Sequence, residues 1–201
     1  MNPLVLVWVA IPVTAVVAWV ARSGGSMVSP VPADVDKLLS SASFARLRAS
    51  WPAGNISIDG PGRLSNARII VREFLAAGFD WKVSLAAVVN ANAESSLDNK
   101  AIGDGGASVG LFQLHERGGG RGMSVADRQD PVLNARRMVQ ETKAAWNATY
   151  GNYRSLSSAV AAGAAVPELA GLFAVHVERP ADKDGAYFAR SASAKTLFPG
   201  V

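Results

Sequence analysis

The chain has 201 residues, enough for one substantial domain and an appendage. It holds no cysteine, which excludes disulfides and thiolate chemistry, and only two histidines, His115 and His176, too few and too isolated to suggest a metal site. A net charge of +4 suits polyanions such as nucleic acid, anionic lipid or bacterial wall polymer and does not choose among them.

The first 21 residues, "MNPLVLVWVAIPVTAVVAWVA", contain no charged side chain, the first being Arg22. About 20 apolar residues cross the hydrocarbon core of a bilayer, so the pattern predicts a transmembrane anchor over 1–21, with Trp8 and Trp19 near the two interfaces and a kink at Pro12. A cleaved signal peptide would need a basic segment before the apolar run, and none is present. Arg22 and Lys37 follow the span with Asp34 and Asp36 beside them, which leaves the orientation open.

Residues 22–62 read as a linker carrying one short amphipathic helix. "RSGGSMVSPVPAD" is rich in Gly, Ser and Pro, and "PADVDKLLSSASFARLRASW" then spaces Val35, Leu38, Leu39, Phe44, Leu47 and Trp51 along one helical face, with Asp34 as cap. "PAGNISIDGPG" breaks the pattern with turn residues.

Residues 63–201 read as a catalytic domain, mainly α with a small β element. Helices are predicted over "SNARIIVREFLAAGF" and over "DWKVSLAAVVNANAESSL", the second capped by Asp80. "NKAIGDGGASVG" is too glycine-rich for a helix, and "VGLFQLH" has the alternation of a strand. "ERGGGRGMSVADRQ" reads as a loop. In "DPVLNARRMVQETKAAW", Asp130 caps a helix whose first residue is Pro131 and whose core stripe is Val132, Met138, Val139 and Trp146; Arg136, Arg137 and Lys143 form its wet face. One or two helical pieces interrupted near Pro167 and a last helix over "GAYFARSASAKTLF" complete the domain.

The chemistry concentrates in "NAESSLDNKAIGDGGASVGLFQLH", residues 92–115. A glutamate ending an apolar helix is partly desolvated, which disfavours its charged form and lets it keep a proton. Such a carboxyl suits the general acid that protonates a departing sugar oxygen. The glycines that follow let backbone approach an extended ligand, and Gln113 offers both donors and acceptors.

The motifs Glu94-Ser95 and Gly110-Leu111-Phe112-Gln113 resemble the catalytic core of the lysozyme-like superfamily, especially goose-type lysozymes and soluble lytic transglycosylases. "VERPADKDG" is similar to the C-terminal helix of phage-encoded lysozyme-like domains. The resemblance covers roughly residues 65 to 190. It implies a peptidoglycan-degrading glycosidase that cleaves the β-1,4 bond between N-acetylmuramic acid and N-acetylglucosamine, without metal or organic cofactor. Glu94 matches the general acid. Asp104, six places before Gly110, matches a water-positioning aspartate of goose-type enzymes. Ser95, Ser108, Gly110, Gln113 and His115 fall on positions that border the glycan strand. The sequence departs from the pattern at Ser108, where chicken-type enzymes carry an aspartate, and at His115, where goose-type enzymes carry their second one. It also lacks the Ala-Tyr-Asn-Ala-Gly motif of transglycosylases, for which Tyr153 and Tyr187 are distant substitutes. Hydrolase and transglycosylase both stay open.

A wall-cleaving domain with its own membrane span fits a phage virion with an internal membrane, where local wall opening assists genome entry. A signal-anchored lysis enzyme, a bacterial wall-remodelling enzyme and a non-catalytic wall-binding or structural protein are the alternatives. No specific nucleic-acid partner is expected, and the oligomeric state is left open. Glu178 and Arg179, at a helix end, have the choice of facing the cleft or making structural hydrogen bonds, and the structural reading is preferred; His176, within an apolar run, reads as packed or surface, and Trp81 and Trp146 as core in preference to a sugar subsite.

Overall fold

The computed structural model describes residues 39–51 and 59–201. The predicted span over 1–21, most of the linker and the predicted Asp34 cap lie outside the described residues, among which no helix is long and apolar enough to cross a membrane. The described chain is mainly helical. Its elements are α1 (Ser41–Ala49), α2 (Gly60–Ala76), α3 (Trp81–Ser95), β1 (Ile102–Gly103), β2 (Ser108–Val109), β3 (Leu114–His115), α4 (Val125–Gln129), α5 (Pro131–Ala145), α6 (Leu156–Ala161), α7 (Val166–Phe173), a π-helical turn (Ala174–Glu178) and α8 (Lys183–Leu197).

Helix α3 is the axis of the domain. Every residue from Val83 to Ala91 is buried, because α2, α7 and α8 pack around it. A helix apolar on all sides has no face to give to water, so neighbours must surround it. Asp80 starts it by accepting from the Lys82 backbone N–H at 2.7 Å. Phe74 of α2 and Phe173 of α7, both fully buried with ring centroids 6.1 Å apart, close the core beside it. Burial of each such ring contributes about 2 to 3 kcal/mol. Trp146 and Trp81 pack on this core, Trp146 with its centroid 5.1 Å from that of Phe79, as their helical placement predicts.

Helix α1 docks on the same core. It is capped by Ser40, places Leu47 in the interior, and sends Arg46 Nη1 to the Leu197 carbonyl at 3.4 Å. Trp51, just beyond it, donates from its indole to Asn92 Oδ1 at 2.9 Å, two residues before Glu94.

Three segments differ from the sequence-based expectation. Helix α2 begins at Gly60, inside the segment read as a turn: the Asp59 side chain accepts from the Gly62 N–H at 2.8 Å, and Pro61 has a backbone preset for the first helical turn. The segment read as loop over 116–129 contains α4, where Ser124 and Asp127 form a reciprocal capping box. The third concerns "VGLFQLH", which is two strands of an antiparallel sheet ordered β1-β2-β3, joined by a turn. Gly110 and Gln113 have φ of 84° and 44°, and Leu111 and Phe112 are both buried, so the side chains do not alternate as in a strand. The break near Pro167 lies where expected, between α6 and α7, with the proline in the first turn of α7.

Two buried polar side chains hold the hairpin. Arg128 Nη1 donates to the Ala107 and Leu114 carbonyls at 2.6 and 2.9 Å. Asn134 accepts from the Phe112 N–H at 3.2 Å and donates to the Arg128 carbonyl at 2.7 Å. A Cβ on Gly110 would collide with that Arg128 carbonyl oxygen and with Asn134 Nδ2, in a backbone conformation that already favours glycine. Gly110→Ala is therefore expected to lower the unfolding free energy by about 3 kcal/mol or more in denaturant titration; a loss below about 1 kcal/mol would contradict this packing.

Candidate active site

Glu94 stands in the last turn of α3, its side chain 29% exposed, at one wall of an open groove of about 590 Å³. The chain turns sharply after it. Ser96 and Leu97 both have left-handed backbones, with φ of 55° and 61°, a conformation that costs side-chain-bearing residues on the order of 1 to 3 kcal/mol. Tertiary contacts offset that cost. Leu97 is fully buried and its carbonyl accepts from Asn66 at 2.9 Å, while Asn99 donates to the Gln129 carbonyl at 2.6 Å. Ser95 Oγ donates back to the Ala91 carbonyl at 3.1 Å and across to the Leu111 carbonyl at 2.8 Å, tying the helix end to the hairpin turn.

The sheet forms the facing part of the groove. Of the residues predicted for the site, Glu94, Asp104, Ser108, Gln113 and His115 line the groove; Ser95 and Gly110 do not, and hold its frame instead. Asp104 is exposed, with φ of 49°, and accepts from Ser108 Oγ at 2.5 Å. Gln113 is held by its turn: Nε2 donates to the Gly110 and Ala101 carbonyls at 3.0 and 3.3 Å, and Oε1 lies where a Cβ on Gly103 would sit. His115 Nδ1 accepts from the Arg117 N–H at 3.1 Å.

The groove has residues the sequence reading did not place there. Arg190, on α8, donates from Nη2 to Glu94 Oε1 at 2.5 Å, and the same nitrogen lies 3.5 Å from Glu178 Oε2. Its Nε donates to Asn90 Oδ1 at 3.1 Å, and Asn90 is itself fixed by donating to the Ala86 and Ala170 carbonyls at 2.8 and 3.1 Å. Glu178 ends the π-helical turn, and its Oε1 is buried with no hydrogen-bond partner among the described residues. Burial, reinforced by the Glu94 charge and opposed by Arg190, pushes its carboxyl up to about 8. Glu178 was expected to be a structural helix-end residue; it lines the groove because the wide π turn and the left-handed Arg179, at φ 57°, stop the helix there. Arg179 does make the expected structural contact, to Glu141 at 3.1 Å. Arg137, read as part of a wet face, is half-buried and donates to the Gly119 carbonyl at 2.6 Å, tying α5 to the loop after β3.

Signals for two of these residues were present. Asn90 is a polar residue one helical turn before Glu94 in an otherwise apolar run, so the two share a face. Glu178 follows "FAVHV" much as Glu94 follows its own apolar helix. Nothing local marks Arg190, 96 residues from Glu94 in sequence. Tyr153 and Tyr187 pack with tilted rings, centroids 4.8 Å apart, and do not line the groove; Tyr153 donates to Asp184 at 2.6 Å. His176 is buried and bonds through Nε2 to the Arg154 carbonyl at 3.0 Å. Among the described residues no cluster of three or more His, Cys, Asp or Glu is placed to hold a metal.

A carboxyl raised by folding favours the native state below its unfolded pKa, near 4.5 for glutamate, and this advantage is lost as pH rises through about 8. Glu178→Gln removes that titration. Relative to the parent, the variant is expected to gain unfolding free energy as pH is raised from 4.5 to 9, by more than about 1 kcal/mol. Parallel stability curves for the two proteins across that range would show that Glu178 does not titrate in this way.

The groove is open, carries acidic and basic groups on its walls, and is bordered by the hairpin that bears the Gly-Leu-Phe-Gln motif. No curated protein and no solved structure matches the chain. The family model for phage tail lysozyme matches residues 65–199, from α2 to the end of α8, and the chain therefore belongs to the phage tail lysozyme family, whose lysozyme character makes it a glycosidase-type enzyme directed at peptidoglycan.

Proposed function

We propose that the protein cleaves the β-1,4 bond between N-acetylmuramic acid and N-acetylglucosamine, with Glu94 as the general acid. The observation that carries this reading is the position of Glu94: a partly sheltered carboxyl at the end of the buried central helix, facing a groove that the sheet borders. A glycan strand laid along the groove presents its bridging oxygen to Glu94, which protonates it as the bond breaks and positive charge develops on the sugar ring. Neutral sugar rings need hydrogen-bonding walls more than charge, and the side chains of Ser108, Gln113 and His115 supply that class of contact.

The second step depends on Asp104. Its carboxylate lines the same groove as Glu94 and is oriented by the Ser108 hydroxyl, which supports a role in positioning the attacking water. The hydrolytic reading leads on that observation. Without Asp104, attack by the substrate's own hydroxyl would leave an anhydro sugar end, as in a lytic transglycosylase.

The anchor and the setting belong to the same proposal. The uncharged run over 1–21 holds the domain at a membrane, and the linker gives it reach to the wall. The setting that best joins an anchor to a phage tail lysozyme domain is a virion that opens the wall locally for genome entry. Export as a lysis enzyme is the alternative.

Glu94→Gln is expected to lower wall clearing in zymograms and turbidity assays by at least about 10³-fold while the fold is retained. Undiminished clearing would remove Glu94 from the mechanism. Muropeptides released by the parent are expected to carry reducing ends, and Asp104→Asn should slow their release by about 10²-fold. Anhydro ends from the parent would assign the transglycosylase reaction instead, and an untouched wall would leave a binding protein.

A further inference from the structure

The pairing at Glu94 poses a problem for a general acid. Glu94 accepts from Arg190 at 2.5 Å; a guanidinium donor in general favours the charged form of a carboxyl, whereas an acid must carry its proton when the substrate arrives. The same guanidinium nitrogen has a second carboxyl 3.5 Å away, that of Glu178, one of whose oxygens is buried without a partner. Asn90 fixes Nε of the guanidinium, and Nη2, with its two N–H groups, stands between the two carboxyls, nearer to Glu94.

Resting on the reading of Glu94 as the acid, we infer that Glu178 is a positioning residue for the reaction: when a glycan strand fills the groove, Arg190 passes from Glu94 to Glu178, and Glu94 takes up the proton it then donates. The proton balance closes within the cluster. Before the exchange Glu178 holds one proton, Glu94 is ionised and Arg190 is cationic, for zero net charge. As the strand arrives, the proton leaving Glu178 is relayed through the last groove water to Glu94, Arg190 keeps its charge and the sum is unchanged. The movement is short, from 3.5 Å to an ion-pair distance of about 2.8 Å. Substrate provides the bias, because covering Glu94 with sugar removes water and disfavours its charged form. Burial raises the proton affinity of Glu178, as the role of resting proton holder requires.

The other charged groups near the pair are engaged elsewhere. From α5, Glu141 is bound to Arg137 and Arg179. From the turn between β1 and β2, Asp104 is bound to Ser108, and from β3 His115 accepts from the Arg117 N–H. On α7, Glu168 pairs with Arg154 at 2.7 Å, and on α8, Lys183 donates to the Pro180 carbonyl and Asp184 accepts from Tyr153. Within the π turn, His176 is bound to the Arg154 carbonyl.

The test is the pH dependence of wall cleavage by the full chain, parent against Glu178→Gln. A glutamine cannot take Arg190 as a carboxylate does, so Glu94 stays paired and ionised to lower pH. The alkaline limb of the profile is expected to move toward acid by about one unit or more, giving about a tenfold loss at pH 7 that recovers toward pH 5. Glu178→Asp, which keeps the charge, should restore part of the limb. Superimposable profiles for parent and Glu178→Gln, or a uniform loss at every pH, overturn the inference. Should the glutamine variant not fold, carboxyl carbon NMR of Glu94→Gln decides. The titration midpoint of Glu178 should fall once the neighbouring negative charge is gone and Arg190 is released to it, and an unchanged midpoint overturns the inference. If Glu94→Gln still cleaves wall, the functional reading itself fails; if it is inactive while Glu178→Gln tracks the parent, only the exchange fails.

Discussion

Burial of helix α3 on all sides constrains the rest of the structure. From Val83 to Ala91 no residue reaches water, so the helix meets solvent only at its ends, and the C-terminal end opens into the groove. Polar groups inside that run must be satisfied by neighbours. Asn90 is, by two carbonyls and by Arg190, and through it the packing of the core reaches the candidate site. A carboxyl at this position inherits the rigidity of the best-packed element of the fold, which is what positioning a reacting group requires.

The second wall of the groove comes from the far end of the chain. A π-helical turn and a left-handed arginine end the α7 segment at Glu178, and α8 then returns to bring Arg190 between the two carboxyls. Neither deviation from regular helix is favourable by itself. Together they place three ionisable groups at one edge of the groove. A partly buried cluster of this kind differs from a set of surface ion pairs, which contribute little.

The hairpin follows a different logic. Its strands are two residues long and too short to be stable by pairing alone. Arg128 and Asn134, both buried, supply hydrogen bonds that replace a longer ladder, and Gly110 makes room for them. Ser95 links this frame to the end of α3, so the helix bearing Glu94 and the hairpin turn that leads to Gln113 are held in fixed relation by side chain to backbone contacts.

Local rules made much of this legible. The helical period, the caps at Asp80 and Asp130, the break at Pro167 and the pairing of Glu94-Ser95 with a glycine-rich turn all rest on near neighbours in sequence, and the mainly helical fold and lysozyme family follow from them. The reading failed where distant residues decide. "VGLFQLH" alternates in sequence like a strand, yet Asn134 and Arg128, from two later helices, bend it into a turn. Glu178 resembles any glutamate at a helix end until α8 brings Arg190 against it. Hydrophobic pattern and caps act within a few residues, so the chain alone determined the helices and the glutamate at the end of the central one; charge pairing acts through space, so only the packed structure decided which charged groups stand beside it.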